Sequence, residues 1–146
     1  MPSRASALLF LAILPLGGCS LESFKVTMCQ AGETVGFAIA PIEGVFSDYQ
    51  PRPSELWIRS NNDRDYREAV VWAARLPYTI SGDNSAHDTR PSRKLIVYGE
   101  SLPRWNVNHG PKPLVEGQAY SAHLSDGGHK GSAVFELGKP LPACPR

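Results

Sequence analysis

The sequence predicts a mainly β protein, an antiparallel β-sandwich of about seven short strands. Apolar residues recur with a period of two in several separate segments, which puts alternate side chains on one face of a half-buried strand. Glycine and proline, 13 of each in 146 residues, are spread along the chain and leave little room for long helices. The stretch 120–137 alternates, turns and alternates again, as a hairpin does. The apolar share of 42% is too high for a disordered chain, and the length suffices for one core. Neither a second domain nor an internal repeat is visible. The organisation read from the sequence is an export signal over 1–18, a short tether over 19–23 and a single sandwich domain over 24–146.

Phe24, Val26 and Met28 share one face against Lys25 and Thr27, and Val35, Phe37 and Ile39 share one against Gly36 and Ala38. Leu56 and Ile58 oppose Glu55, Trp57 and Arg59. The segment 65–76 carries two patterns. Tyr66, Ala69, Val70, Ala73 and Leu76 fall at helical spacing, with Asn62 or Asp63 available as a cap. Val70, Val71 and Trp72 favour a strand, the preferred reading, and Pro77 ends either element. The segment 94–98 is apolar on both faces after its lysine, which suits a central strand. Tyr120, Ala122 and Leu124 then face one way, 126–131 turns as a six-residue loop, and Ala133, Phe135 and Leu137 face back.

Within 114–120, Leu114 stands six residues before Tyr120, with Gly117 between them. The spacing resembles the tyrosine corner of fibronectin type III and immunoglobulin-like sandwiches. By that resemblance the leucine plugs the core and the phenol hydrogen-bonds back to upstream backbone. Gly117 is free to take the positive φ such a turn demands.

At the amino terminus Arg4 supplies a short positive region, 7–14 is an unbroken apolar run, and Leu16-Gly17-Gly18-Cys19 follows. The apolar run is far short of the roughly 18 residues of a membrane-spanning helix. The tetrapeptide resembles the lipobox of bacterial lipoprotein precursors. That resemblance implies that Cys19 becomes the new amino terminus, with a diacylglycerol on its sulfur and a third acyl chain on its nitrogen. At about 0.8 kcal/mol per buried methylene, such an anchor hardly dissociates. Ser20, in place of an aspartate, implies an outer-membrane address facing the periplasm, within the bacterial envelope. With Cys19 taken by lipid, Cys29 and Cys144 remain as a pair in an oxidising compartment, and a structural disulfide is expected. A redox or metal-binding thiol pair is the alternative, without C-x-x-C spacing or a histidine nearby in sequence to support it.

Of 15 basic side chains, Arg4 precedes Cys19, so the rest of the chain balances 14 basic against 14 acidic groups. That neutrality, without a basic run, argues against nucleic-acid binding and against an electrostatic hold on anionic lipid. His123, Asp126 and His129 are close enough in sequence to converge on a metal, but their spacing fits no zinc pattern. They are read as exposed polar groups, as is His87 between Asn84 and Asp88. There is no G-x-S-x-G elbow, and the glycine-rich stretch 127–131 closes a hairpin and opens no helix. No catalytic residue, metal or cofactor is assigned.

Trp57 falls on the outward face of its strand beside Glu55 and Arg59, and an Arg-flanked tryptophan is typical of interface hot spots. Cover by a loop or by the Arg59 stem, or burial of the strand on both faces, is the competing reading. Trp105, within 103–109, is read either as part of a recognition loop or as a plug at the end of the sandwich, and 61–68 as a solvated turn. A small sandwich lipoprotein with one clipping disulfide resembles the periplasmic immunity lipoproteins that accompany type VI secretion toxins. The resemblance implies a protein that neutralises an envelope-acting effector by steric occlusion. The leading expectation is a lipid-anchored, non-catalytic binding module that contacts a protein partner through Trp57, Arg59 and Trp105. A structural accessory of an envelope complex is the first alternative, and an envelope enzyme the second.

Overall fold

Where apolar residues alternate, the chain pairs into strands. The computed structural model describes residues 22–42, 44, 50–77 and 93–146. The segment 1–18 read as an export signal, Cys19 and His87 lie outside the described residues. The elements are β1 (Phe24–Ala31), β2 (Thr34–Pro41), β3 (Glu55–Ser60), α1 (Tyr66–Ala69), β4 (Val70–Arg75), β5 (Leu95–Val97), β6 (Asn106–His109), β7 (Ala119–Asp126) and β8 (His129–Glu136). They form two antiparallel sheets, β1-β2-β5 and β6-β4-β3-β7-β8. The first, second and fifth strands in one sheet, with the third beside the seventh and eighth in the other, follow the immunoglobulin-type order. One core joins the inner faces of both sheets: Phe24, Val26, Phe37 and Ile96 from the first, and Leu56, Ile58, Trp72, Tyr120 and Phe135 from the second. Phe37 meets Phe135 edge-on across the sandwich at 6.1 Å between ring centroids.

Several elements differ from the sequence expectation. The 65–76 segment is helix and strand in succession: one turn over Tyr66–Ala69 runs straight into β4. Its cap is Asp65 rather than Asn62 or Asp63, and the Asp65 carboxylate accepts the Arg67 N–H at 2.8 Å. The six-residue loop is a two-residue turn, Gly127-Gly128, with Asp126 paired to His129. Gly127 takes φ +60°, the conformation that tight hairpin turns require. Among the described residues the 94–98 strand is an edge of its sheet. Its Ile96 is buried in the core, whereas Leu95 and Val97 on the outer side are only half-buried. β6, within a segment read as loop or plug, is a fully exposed edge strand, which brings the count among the described residues to eight.

At the start of β7, the Tyr120 hydroxyl accepts the Val115 N–H at 2.8 Å and lies 3.2 Å from Gln118 Oε1. Leu114 packs against the core and Gly117 takes φ +77°, which completes the tyrosine corner. Tyr98, just after β5, donates to the Lys112 carbonyl at 2.6 Å and is edge-on to Trp72 at 5.2 Å. Burial, with the neighbouring Tyr120, pushes its pKa well above the usual phenol range.

Cys29 and Cys144 form a disulfide across 115 residues. It lies on the outer face of the three-stranded sheet, where Cys29 is paired in register with Gly36. The C-terminal segment continues along β1, the Gln30 N–H donating to the Pro142 carbonyl at 2.7 Å. Gly36 is a requirement of this arrangement, because a Cβ there would come within 2.6 Å of Cys144 Sγ and 3.0 Å of Cys29 Sγ. Gly36→Ala is therefore expected to cost about 1–3 kcal/mol through overpacking. Denaturant unfolding checks this: the cost should shrink to a few tenths of a kcal/mol when Cys144 is also replaced by alanine.

Candidate functional site

The outer face of the five-stranded sheet collects the polar and aromatic residues that the core excludes. Antiparallel register sets them in three rows across β3, β7 and β8. Trp57 lies opposite His123 and His123 opposite Ser132; Glu55, Ser125 and Lys130 form the next row; Arg59, Ser121 and Val134 form the third. Rows of one face are about 7 Å apart along a strand, so all nine side chains share one surface. The chain before β1 docks beside this surface. The Ser23 N–H donates to the Lys130 carbonyl at 2.8 Å, and the Ser132 hydroxyl donates to the Glu22 carboxylate.

Trp57 is half-buried, and its cover comes from α1. Asp65 caps that turn and fixes Tyr66 above the sheet, 6.5 Å from the Trp57 ring at an interplanar angle of 51°. The Arg59 guanidinium carbon sits 4.1 Å from the centre of the Tyr66 ring, a cation–π contact. Trp57, Tyr66 and Arg59 thus form one continuous ridge. Tyr66 remains 54% exposed at its crest and Val134, at the sheet edge, 70% exposed. The Arg59 Nε is buried without a hydrogen-bond partner among the described residues, a desolvated donor of the kind that costs about 1–3 kcal/mol.

Beside the ridge is a groove of about 420 Å³. Trp57, His123, Glu22, Glu55, Lys130 and Ser132 line it. Ser125 donates to the Glu55 carboxylate at 3.3 Å, so each of the two carboxylates is oriented by a serine of a neighbouring strand. His123 is exposed as a residue, yet crowding of its ring by the groove walls lowers its pKa. The Arg59 charge lowers it further, and Glu22 opposes the shift. Such a histidine binds fewer protons folded than unfolded. Its contribution to stability is therefore complete above the ordinary histidine pKa of about 6.5 and declines as pH falls through that value. His123→Gln is expected to flatten the loss of stability between about pH 7 and pH 5. Urea unfolding at several pH values, wild type against variant, checks it.

The face holds two of the three contacts expected from the sequence. Trp57 and Arg59 stand together on it. Trp105 is placed elsewhere: it follows Arg104, whose φ is +69°, donates its backbone N–H to the Leu102 carbonyl at 3.1 Å, and packs against the core. Sequence reasoning missed Tyr66, because 61–68 reads as a solvated turn, and it missed the groove. The two-residue Gly127-Gly128 turn was the available signal, since it fixes the register that sets Ser132 and Lys130 beside His123 and Ser125. The three residues considered for a metal are split by strand parity. His123 faces outward, whereas Asp126 follows Tyr120, Ala122 and Leu124 inward, where its carboxylate accepts the Arg52 N–H at 2.9 Å. Among the described residues no group of three or more metal-ligating side chains comes together.

Fold and site together define an immunoglobulin-type β-sandwich, eight strands among the described residues, with an aromatic ridge and a polar groove on the outer face of its larger sheet. Comparison with protein-family models, curated proteins and solved structures found no match.

Proposed function

We propose that the protein is a lipid-anchored, periplasm-facing, non-catalytic binding module whose partner is a protein. The observation that carries the proposal is the Trp57–Tyr66–Arg59 ridge, three residues of the types that dominate interface hot spots, presented on a sheet face with an arginine donor unsatisfied among the described residues. A partner carbonyl or carboxylate reaching Arg59 would remove that cost on binding. The lipobox resemblance of Leu16-Gly17-Gly18-Cys19 supports the anchor. Among the described residues no helix is long and apolar enough to cross a membrane.

Two experiments test the two halves. Cys19→Ser should abolish acyl labelling and move the protein out of the membrane fraction; persistence in that fraction refutes the anchor. Capture of partners from envelope extract with the wild-type chain, followed by mass spectrometry, should return one stoichiometric protein that Trp57→Ala and Arg59→Ala fail to retain. Equal retention by all three chains refutes the ridge as the contact.

A further inference from the structure

We propose that the groove beside the ridge is a saccharide-binding site for a neutral pyranose unit, on the structural grounds of a tryptophan wall, two serine-oriented carboxylates and a lining with charges of both signs. This goes beyond the protein-partner reading, because the groove takes a ligand of its own.

Charge narrows the ligand class first. Glu22, Glu55 and Lys130 line the groove, and Arg59 is near enough to act on His123. The lining holds two carboxylates and one ammonium, which disfavours an anion, while Lys130 with Arg59 nearby opposes a cation. A metal ion lacks a cluster of three ligands among the described residues. A neutral ligand gains most from such a site.

The walls narrow it further. Trp57 offers part of an apolar π-face, which stacks on a flat apolar surface. Around it stand groups that both accept and donate. The carboxylates of Glu22 and Glu55 keep lone pairs beyond those used by Ser132 and Ser125, Lys130 brings donors, and His123, its charged form disfavoured, offers an acceptor nitrogen. A pyranose matches this set: one face of axial C–H bonds for the tryptophan and a rim of hydroxyls that each donate and accept. The volume falls in the range of small-ligand clefts. Because the carboxylates are already held by serines, less rotamer freedom is lost when hydroxyls arrive.

The test uses the full chain in a detergent without a sugar headgroup, with cellotriose, maltotriose and tri-N-acetylchitotriose as probes, read by saturation-transfer NMR and tryptophan fluorescence. At least one probe is expected to bind with a Kd of about 1 mM or tighter. Trp57→Ala is expected to weaken it about tenfold or more, and Glu55→Gln, which keeps the side-chain shape, severalfold. His109→Ala, on the exposed edge strand β6, should leave it unchanged. Absence of transfer from all three probes at about 10 mM overturns the proposal, as does binding that survives both groove variants. A captured protein partner together with silent probes overturns the saccharide site alone and leaves the ridge standing.

Discussion

Replacing Cys29 and Cys144 together by serine is expected to lower the unfolding free energy by about 4 kcal/mol and the melting temperature by about 10–20 °C. In the chain-entropy description, closing a loop of about 100 residues is worth about 4.7 kcal/mol, and the observed bridge spans 115. Its loss also frees the C-terminal segment that pairs Gln30 with Ala143 along β1 and covers Gly36. Reversible thermal and urea unfolding, with and without reductant, measures the effect. Reductant should shift the wild type to the variant's midpoint and leave the variant unchanged. A shift below about 1 kcal/mol would mean that the bridge holds the domain's two ends together without stabilising it.

Trp57 and Trp72 stand on adjacent strands but on opposite faces, and their alanine variants should separate stability from binding. Trp72 is 1% exposed and packs edge-on to Tyr98 within the core. Trp72→Ala is expected to cost about 3–5 kcal/mol in unfolding free energy, with partner affinity preserved in whatever fraction stays folded. Trp57 lies half-buried on the outer face, so Trp57→Ala should cost less than about 1.5 kcal/mol in stability. Its partner affinity should fall by about 2 kcal/mol or more, roughly thirtyfold. Parallel denaturant titrations and binding isotherms read both numbers. A large stability loss for Trp57→Ala would make its ring a structural cover for the sheet.

Most of the fold was legible because its strands obey period two. Phe24, Val26 and Met28, then Val35, Phe37 and Ile39, alternate cleanly, and each set enters the core. The tyrosine corner was legible for a similar reason, since Leu114, Gly117 and Tyr120 serve one local turn. Errors arose where tertiary contacts override local pattern. The apolar 94–98 segment reads as central, but which strands flank it is decided by long-range pairing with β2, and its Leu95 and Val97 stay half-buried on the outer side. Asp65 caps a helix of a single turn, too short for a hydrophobic period to betray. The site was half legible. Trp57 and Arg59 follow from strand parity, but Tyr66 reaches them across the sheet and Glu22 reaches Ser132 from 110 residues away, relations that no sequence spacing encodes. Trp105 shows the converse. Its polar neighbours suggest a recognition loop and its own size a plug, and the ring packs against the core as a plug would.

Site-directed photo-crosslinking in the intact envelope tests the central claim, an anchored module that engages a protein through the outer face of its larger sheet. A photoreactive residue placed singly at Ser121 or Val134 lies on that face without replacing the ridge, and Val115, 58% exposed near the tyrosine corner, serves as the comparison. The account predicts the same discrete protein adduct from positions 121 and 134, none from 115, and loss of the adduct when Trp57→Ala is added. Adducts of equal yield from all three positions, or adducts unaffected by Trp57→Ala, would contradict it.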